Sequence, residues 1–114
     1  MKLYSLEHFW VESAGDVATV GITAYAVEML GGIRFLSLCA PGEHLEAGMP
    51  AGSLETKKLA MEIVSPVGGE ILDVKNMPEL TSADPEGEGW LYKAKLTSSL
   101  DDLADKAEYD RRNR

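Results

Sequence analysis

Residues 54–66, Leu-Glu-Thr-Lys-Lys-Leu-Ala-Met-Glu-Ile-Val-Ser-Pro, constrain this chain more tightly than any other stretch. Leu59, Met61 and Ile63 alternate with Ala60, Glu62 and Val64, the period of two that a half-buried strand requires. Glu55 and Thr56 close a shorter extended run before it, so Lys57 and Lys58 fall where one strand turns back into the next. Ser65-Pro66 ends the return strand, and Gly68-Gly69 turns the chain again. A lysine at such a tip is exposed while its backbone is held by two strands. That combination suits covalent modification by an enzyme that grips the turn; the alternative is a solvated hairpin with two surface lysines.

The rest of the chain supplies mostly short strands. His8 to Glu12 opens the first, Ser13 to Asp16 reads as a hairpin turn, and Val17 to Ile22 is the return. Thr23 is placed to cap a short helix, Ala24 to Leu30, which Gly31-Gly32 stops. Ile33 to Leu38 alternates as a further strand, Pro41-Gly42 turns it, and 45–48 crosses toward the lysine hairpin. Glu70 to Val74 is another strand, 76–89 reads as a loop, and Trp90 to Leu96 is the last strand. From about residue 99 to 110, Leu100, Leu103, Ala104 and Ala107 recur at helical spacing. Asp101 and Asp102 lie at the start of that tail and Arg111, Arg112 and Arg114 at its end, which complements a helix dipole. Seven or so strands with two helical pieces predict an all-β sandwich or barrel over residues 1–114 as one domain.

Charge and residue inventory narrow the function. The net charge of −8 argues against nucleic acid, whose phosphates reward Lys and Arg. No apolar run approaches the ~20 residues of a membrane span, and the opening residues lack the apolar core of a secretory signal, so a cytoplasmic protein is expected. The single cysteine, Cys39, excludes an internal disulfide or a cysteine-based metal cluster and reads as a packed or edge thiol. The two histidines, His8 and His44, belong to no triad or metal spacing, so no catalytic residue and no metal site is expected. His44 reads as solvated, and His8 as ordering the first strand.

Glu55-Thr56-Lys57-Lys58 followed by Ser65-Pro66 resembles the attachment hairpin of lipoyl-carrier domains. In those families the modified lysine sits three residues after a glutamate and seven before the serine of Ser-Pro. Lys58 meets both counts, and Lys57 misses each by one. Biotin carriers usually place their lysine between two methionines, so lipoate is favoured. Further blocks are similar to the H protein of the glycine cleavage system: His8-Phe9-Trp10-Val11, Gly15 to Thr23 with Tyr25-Ala26, Leu30 to Ile33, Ser65 to Glu70, Glu88 to Leu91, and Glu108-Tyr109. The resemblance implies a small barrel-sandwich hybrid of the lipoyl/biotinyl type with a short internal helix and a C-terminal helix. It also implies lipoate amide-linked to Lys58, a swinging arm that carries a covalent intermediate and electrons between partner enzymes, and no catalysis by the carrier itself. Glu55, Thr56 and Glu62 are implied in hairpin recognition or the lipoyl surroundings, and His8, Phe9 and Met29 in a lipoyl dock.

Two positions depart from the H-protein pattern. Phe9 stands where a glutamate usually helps hold the amine of the cargo, and phenylalanine accepts no hydrogen bond. Met29 stands where some members have histidine. A greasier dock favours a divergent H-like role, such as that of the lipoate-binding proteins of heterodisulfide-reductase-like sulfur oxidation. The alternative is aminomethyl transport in glycine cleavage, and the remote one is a lipoyl domain of a 2-oxoacid dehydrogenase. Expected partners are lipoate ligase or lipoyl synthesis enzymes, then either sulfur-oxidation enzymes of the heterodisulfide-reductase-like type or glycine decarboxylase, aminomethyltransferase and dihydrolipoyl dehydrogenase. The carrier itself is expected to be a monomer.

Overall fold

The computed structural model describes residues 2–113; Arg114, the last basic residue of the predicted tail, lies outside them. In chain order the elements are β1 (Lys2–Tyr4), β2 (Phe9–Ala14), β3 (Val17–Ile22), α1 (Ala24–Leu30), β4 (Phe35–Leu38), β5 (His44–Leu45), β6 (Pro50–Glu55), β7 (Ala60–Val64), β8 (Gly69–Val74), α2 (Pro78–Ala83), β9 (Tyr92–Leu96) and α3 (Lys106–Arg112). The strands form two antiparallel sheets, one ordered β1-β2-β3-β9-β8-β5 and the other β4-β6-β7. This is the expected β architecture with short helices at its margins.

The two sheets close over a core in which Phe9, Val11, Val20 and Ile22 meet Leu54, Ile63, Ile71 and Leu91. A second, smaller cluster joins Tyr4, Trp10 and Tyr109, with Trp90 packed against it. β2 explains why there are two. Phe9 and Val11 enter the main core, while Trp10, on the opposite face by the strand's alternation, enters the smaller one. The run Phe9-Trp10-Val11 is therefore buried throughout.

Several local expectations hold. Thr23 is the N-cap of α1, its hydroxyl accepting from the Ala26 N–H at 3.2 Å, and Gly31 ends the helix in the left-handed region. Lys57 and Lys58 lie between β6 and β7, where Glu55 pairs with Ala60 as the last rung. Within β6 the register slips between Pro50 and Gly52, so Ala51 has no rung of its own. Gly52 has φ +145°, and a Cβ there would overlap the Ser37 carbonyl. Only glycine suits that backbone and that approach.

Other expectations are corrected. β1 was not anticipated. β4 begins at Phe35 rather than Ile33, and β9 at Tyr92 rather than Trp90. The stretch 76–89 holds a helix, α2, begun by Pro78 in its first turn. Contacts distant in sequence stabilise it: buried Thr81 donates to the Gly89 carbonyl at 3.0 Å, and the Ser82 hydroxyl accepts from the Ile33 N–H at 2.8 Å. The closing helix starts at Lys106, not 99. Ala104 instead forms an antiparallel bridge with Tyr4, and Asp105 caps α3 through the Glu108 N–H at 2.9 Å. The bridge to β1 competes with helix over 99–104, so Leu100 and Leu103 reach the core from turns.

Candidate functional site

The lysine hairpin has to turn in two residues without the backbone that two-residue hairpins prefer. Such loops favour turns with φ > 0 at one or both central positions. Among the described residues only His8, of the non-glycines, has a positive φ, so Lys57 and Lys58 adopt neither turn. Thr56 supplies the missing closure. Its hydroxyl accepts from the Lys58 N–H at 3.1 Å and the Leu59 N–H at 3.2 Å, and donates to the Leu59 carbonyl at 3.3 Å. Its backbone N–H donates to the same carbonyl at 2.8 Å. A threonine hydroxyl replaces the carbonyl of an ordinary turn. The backbone of Lys58 is thus tethered, while its side chain is exposed.

The base of the hairpin is equally determined. Ser65, almost fully buried, donates to the Val67 carbonyl at 2.7 Å and accepts from the Tyr92 hydroxyl at 2.7 Å. Its N–H donates to Met49 and its carbonyl accepts from Gly48, both at 2.8 Å. Burial raises the Tyr92 hydroxyl above the ordinary phenol range, which keeps it protonated and able to donate. The serine of Ser-Pro therefore joins β7 to β9.

Alternation sorts the remaining candidates into two places. Glu55 and Glu62 are exposed on the outer face of the three-stranded sheet, where Phe35 stands opposite Glu55 and Ser53 opposite Glu62. Met61 and Ile63 take the inner face, with Leu54 opposite Met61. Beside Met61 opens a cleft of about 110 Å³, lined by Glu7, His8, Ala26, Met29, Leu30 and Met61. Its walls come from three places: the turn before β2, one side of α1, and β7. Met61 is three residues beyond Lys58, roughly 10 Å at a strand's rise. An amine at the tip extended by a long acyl chain can reach back to this cleft, and the thioether and aliphatic lining suits an apolar, sulfur-containing end.

His8 and Met29 are therefore brought together, and Phe9 is not with them. Phe9 is 0% exposed, and its N–H is held by the Ser5 hydroxyl at 3.1 Å. It fills the main core and cannot greet an arm at the surface. Glu62 also lies away from the cleft, on the other side of its sheet. Ala26, Leu30 and Met61 were missed as lining residues. The spacing of Ala26, Met29 and Leu30 on one helix face, and the inward phase of Met61, were the available signals. Burial lowers the affinity of His8 for a proton, and Glu7 only partly offsets this. Cys39 is half-buried against the core, its thiol held up chiefly by burial and apart from the cleft's lining. His44 is exposed, its Nε2 3.7 Å from the Glu46 carboxylate. No helix among the described residues is long and apolar enough to cross a membrane.

Comparisons with known proteins agree with this geometry. A sequence model of the family described as glycine cleavage H-protein matches residues 2–113. The chain is 42% identical over 113 residues to the glycine cleavage system H protein of Herpetosiphon aurantiacus, covering 96% of this chain and 88% of that one. It is 44% identical over 112 residues to the Bacteroides fragilis H protein, covering 93% and 89%. For the Thermotoga maritima H protein the values are 39% over 115 residues, 96% and 93%. A crystal structure of a glycine cleavage system H protein from Mycobacterium marinum superposes with a TM-score of 0.88 at 32% identity, covering 98% of this chain and 95% of that one.

Proposed function

The chain belongs to the glycine cleavage H-protein family, whose members are lipoate-bearing carriers and not catalysts, and on that premise we propose that it is the H component of a glycine cleavage system, modified at Lys58. The observation that carries the reading is the tip itself: an exposed lysine whose backbone is tethered by Thr56, three residues after Glu55 and seven before the buried Ser65. Acylation of the Lys58 amine removes its positive charge and leaves the tether untouched, because the tether uses only backbone groups of Lys58. Once bound, the lipoyl group supplies a dithiolane that can take up a fragment with two electrons and release both elsewhere. The residues of the chain present that group and shelter its end. Met29, Leu30 and Met61 offer apolar contact, and Glu7, the one acid among the lining residues, is the acceptor that a cationic amine cargo would need nearby.

The sulfur cargo favoured from sequence loses its support. It rested partly on Phe9 greasing the dock, and Phe9 is in the core. The relatives above are all named for glycine cleavage, and nothing among these findings favours sulfur oxidation. Glycine decarboxylase, aminomethyltransferase and dihydrolipoyl dehydrogenase are the partners this reading requires, with a lipoate-attaching enzyme before them. The test is glycine-dependent release of carbon dioxide by glycine decarboxylase, using lipoylated protein with another H protein as control. Rates within a few-fold of the control are expected; release no faster than without a carrier would overturn the assignment to glycine cleavage.

A further inference from the structure

His8 is the one described non-glycine residue with a positive φ, +74°, a conformation that costs of order 1 kcal/mol or more unless its surroundings impose it. Its N–H donates to the Ser5 carbonyl at 3.2 Å, and its own carbonyl accepts from the Thr23 N–H at 3.0 Å. Its Nδ1 lies 2.7 Å from the hydroxyl of Tyr109, on α3, a hundred residues away in sequence. That hydroxyl is also 2.7 Å from the Thr23 hydroxyl, which caps α1. One buried oxygen therefore touches both sides of the cleft: the turn carrying Glu7 and His8, and the start of the helix carrying Ala26, Met29 and Leu30.

The direction of these hydrogen bonds follows from counting protons. Thr23 is fully buried, and its oxygen already accepts from the Ala26 N–H. Its own proton has no acceptor among the described residues other than the Tyr109 oxygen. Tyr109 must then donate onward to Nδ1 of His8, since burial raises its hydroxyl and keeps the proton on. His8 accepts at Nδ1 and carries its proton on Nε2. The reverse order would strand the buried Thr23 proton.

We propose that Tyr109 is a positioning residue of the cleft, its hydroxyl locking His8 in the Nε2–H tautomer and tying the His8 side to the N-cap of α1. This rests on the reading of the cleft as the shelter of the Lys58-linked arm. It gives α3 a role in presenting the arm, although no residue of α3 lines the cleft.

Tyr109→Phe removes the hydroxyl and keeps the ring stacked on Tyr4, whose centroid is 4.8 Å away. In unlipoylated wild type, nitrogen-15 NMR should show Nδ1 of His8 as unprotonated and Nε2 as protonated; in the variant the two nitrogens should shift toward each other. In lipoylated protein, reduction of the dithiolane by a water-soluble phosphine should be several-fold faster in the variant than in wild type. It should approach the rate for a lipoylated peptide of the hairpin sequence. An unchanged His8 spectrum would overturn the proposal, as would a changed spectrum with wild-type protection of the arm. Wild-type reduction as fast as the peptide's would overturn it differently, by removing the sheltering cleft itself; glycine-dependent carbon dioxide release, measured separately, decides the carrier assignment. If Tyr109→Phe does not fold, His8→Asn cuts the same link, since asparagine tolerates the left-handed backbone. Its arm should lose protection equally, and retained protection would again refute the proposal.

Discussion

The hairpin tip and the Tyr109 node each fix something the proposed function needs, the backbone of Lys58 in one and the ring of His8 in the other, and they do so by opposite means. At the tip, four consecutive residues, 56–59, close on themselves through one threonine hydroxyl. At the node, residues 8, 23 and 109 meet through side chains, and Tyr109 also stacks on Tyr4. A local device leaves the lysine side chain free to be modified and to swing. A long-range device removes freedom from His8 and from the helix it faces. A carrier needs both, a mobile arm and a shaped place for it to rest.

If the tip presents one amine in register, Lys58→Ala should abolish the lipoyl adduct and Lys57→Ala should retain it. Mass spectrometry of protein from a lipoylating host reads this as all or nothing, and lipoate mapped to Lys57 would break the assignment. The next largest effect belongs to the main core. Phe9→Glu would place a carboxylate where Phe9 is 0% exposed, costing roughly 3 kcal/mol or more. A large fall in the thermal midpoint is expected; a stable variant with improved carrier activity would return position 9 to the dock.

A smaller effect is expected within the tip. Thr56→Val removes the acceptor for two amides and should weaken the turn by about 1–2 kcal/mol. Because the device is local, the global melt should shift little, while hydrogen exchange at Lys58 and Leu59 quickens and lipoylation slows several-fold. A global loss of stability instead would show the tip is coupled to the core. The smallest effect is at His8. Its proton affinity is lowered by burial, so below pH 6.5 the unfolded chain binds a proton that the folded chain resists, and stability falls as pH drops through that window. Glu7 on its own turn, Tyr25 on α1 and Tyr109 on α3 are the titratable groups around it. Between pH 7 and 5 the wild type should lose slightly more stability than His8→Asn, with the carboxylates common to both. Parallel pH profiles would remove His8 from the balance.

The same contrast decides what was legible in the sequence. Thr23, Gly31, the alternation over 60–64 and the spacing of Glu55, Lys58 and Ser65 are local, and each keeps its predicted place; Leu59, expected on the face of Met61 and Ile63, closes the turn instead and is exposed. Phe9 was misplaced because Phe9-Trp10-Val11 is apolar at every position; alternation carries no phase there, and which sheet covers which face is a tertiary fact. α2 was hidden among Pro78, Pro85, Gly87 and Gly89, and its anchor at Ile33 lies outside any local window. The start of α3 was misread because bonding between Tyr4 and Ala104 outweighs helical spacing. The cleft combines residues 7–8, 26–30 and 61, and only the fold makes them neighbours.

The slip in β6 has a consequence for where the lysine points. Ala51 and Leu54 are both buried, yet they are an odd number of residues apart and in an unbroken strand would face opposite ways. Pro50 stands opposite Val64 and Gly52 opposite Ile63, two neighbours on β7, so Ala51 is one residue more than the partner strand matches. The extra residue lets the foot of β6 send a side chain inward without disturbing the ladder above it. Deleting Ala51 would join Pro50 to Gly52 and leave Leu54 opposite Met61 and Glu55 opposite Ala60, with the foot losing its buried methyl. The aim of the tip is thus fixed by the rungs from Gly52 to Glu55, and the foot of the strand can bend to meet the core without turning the lysine.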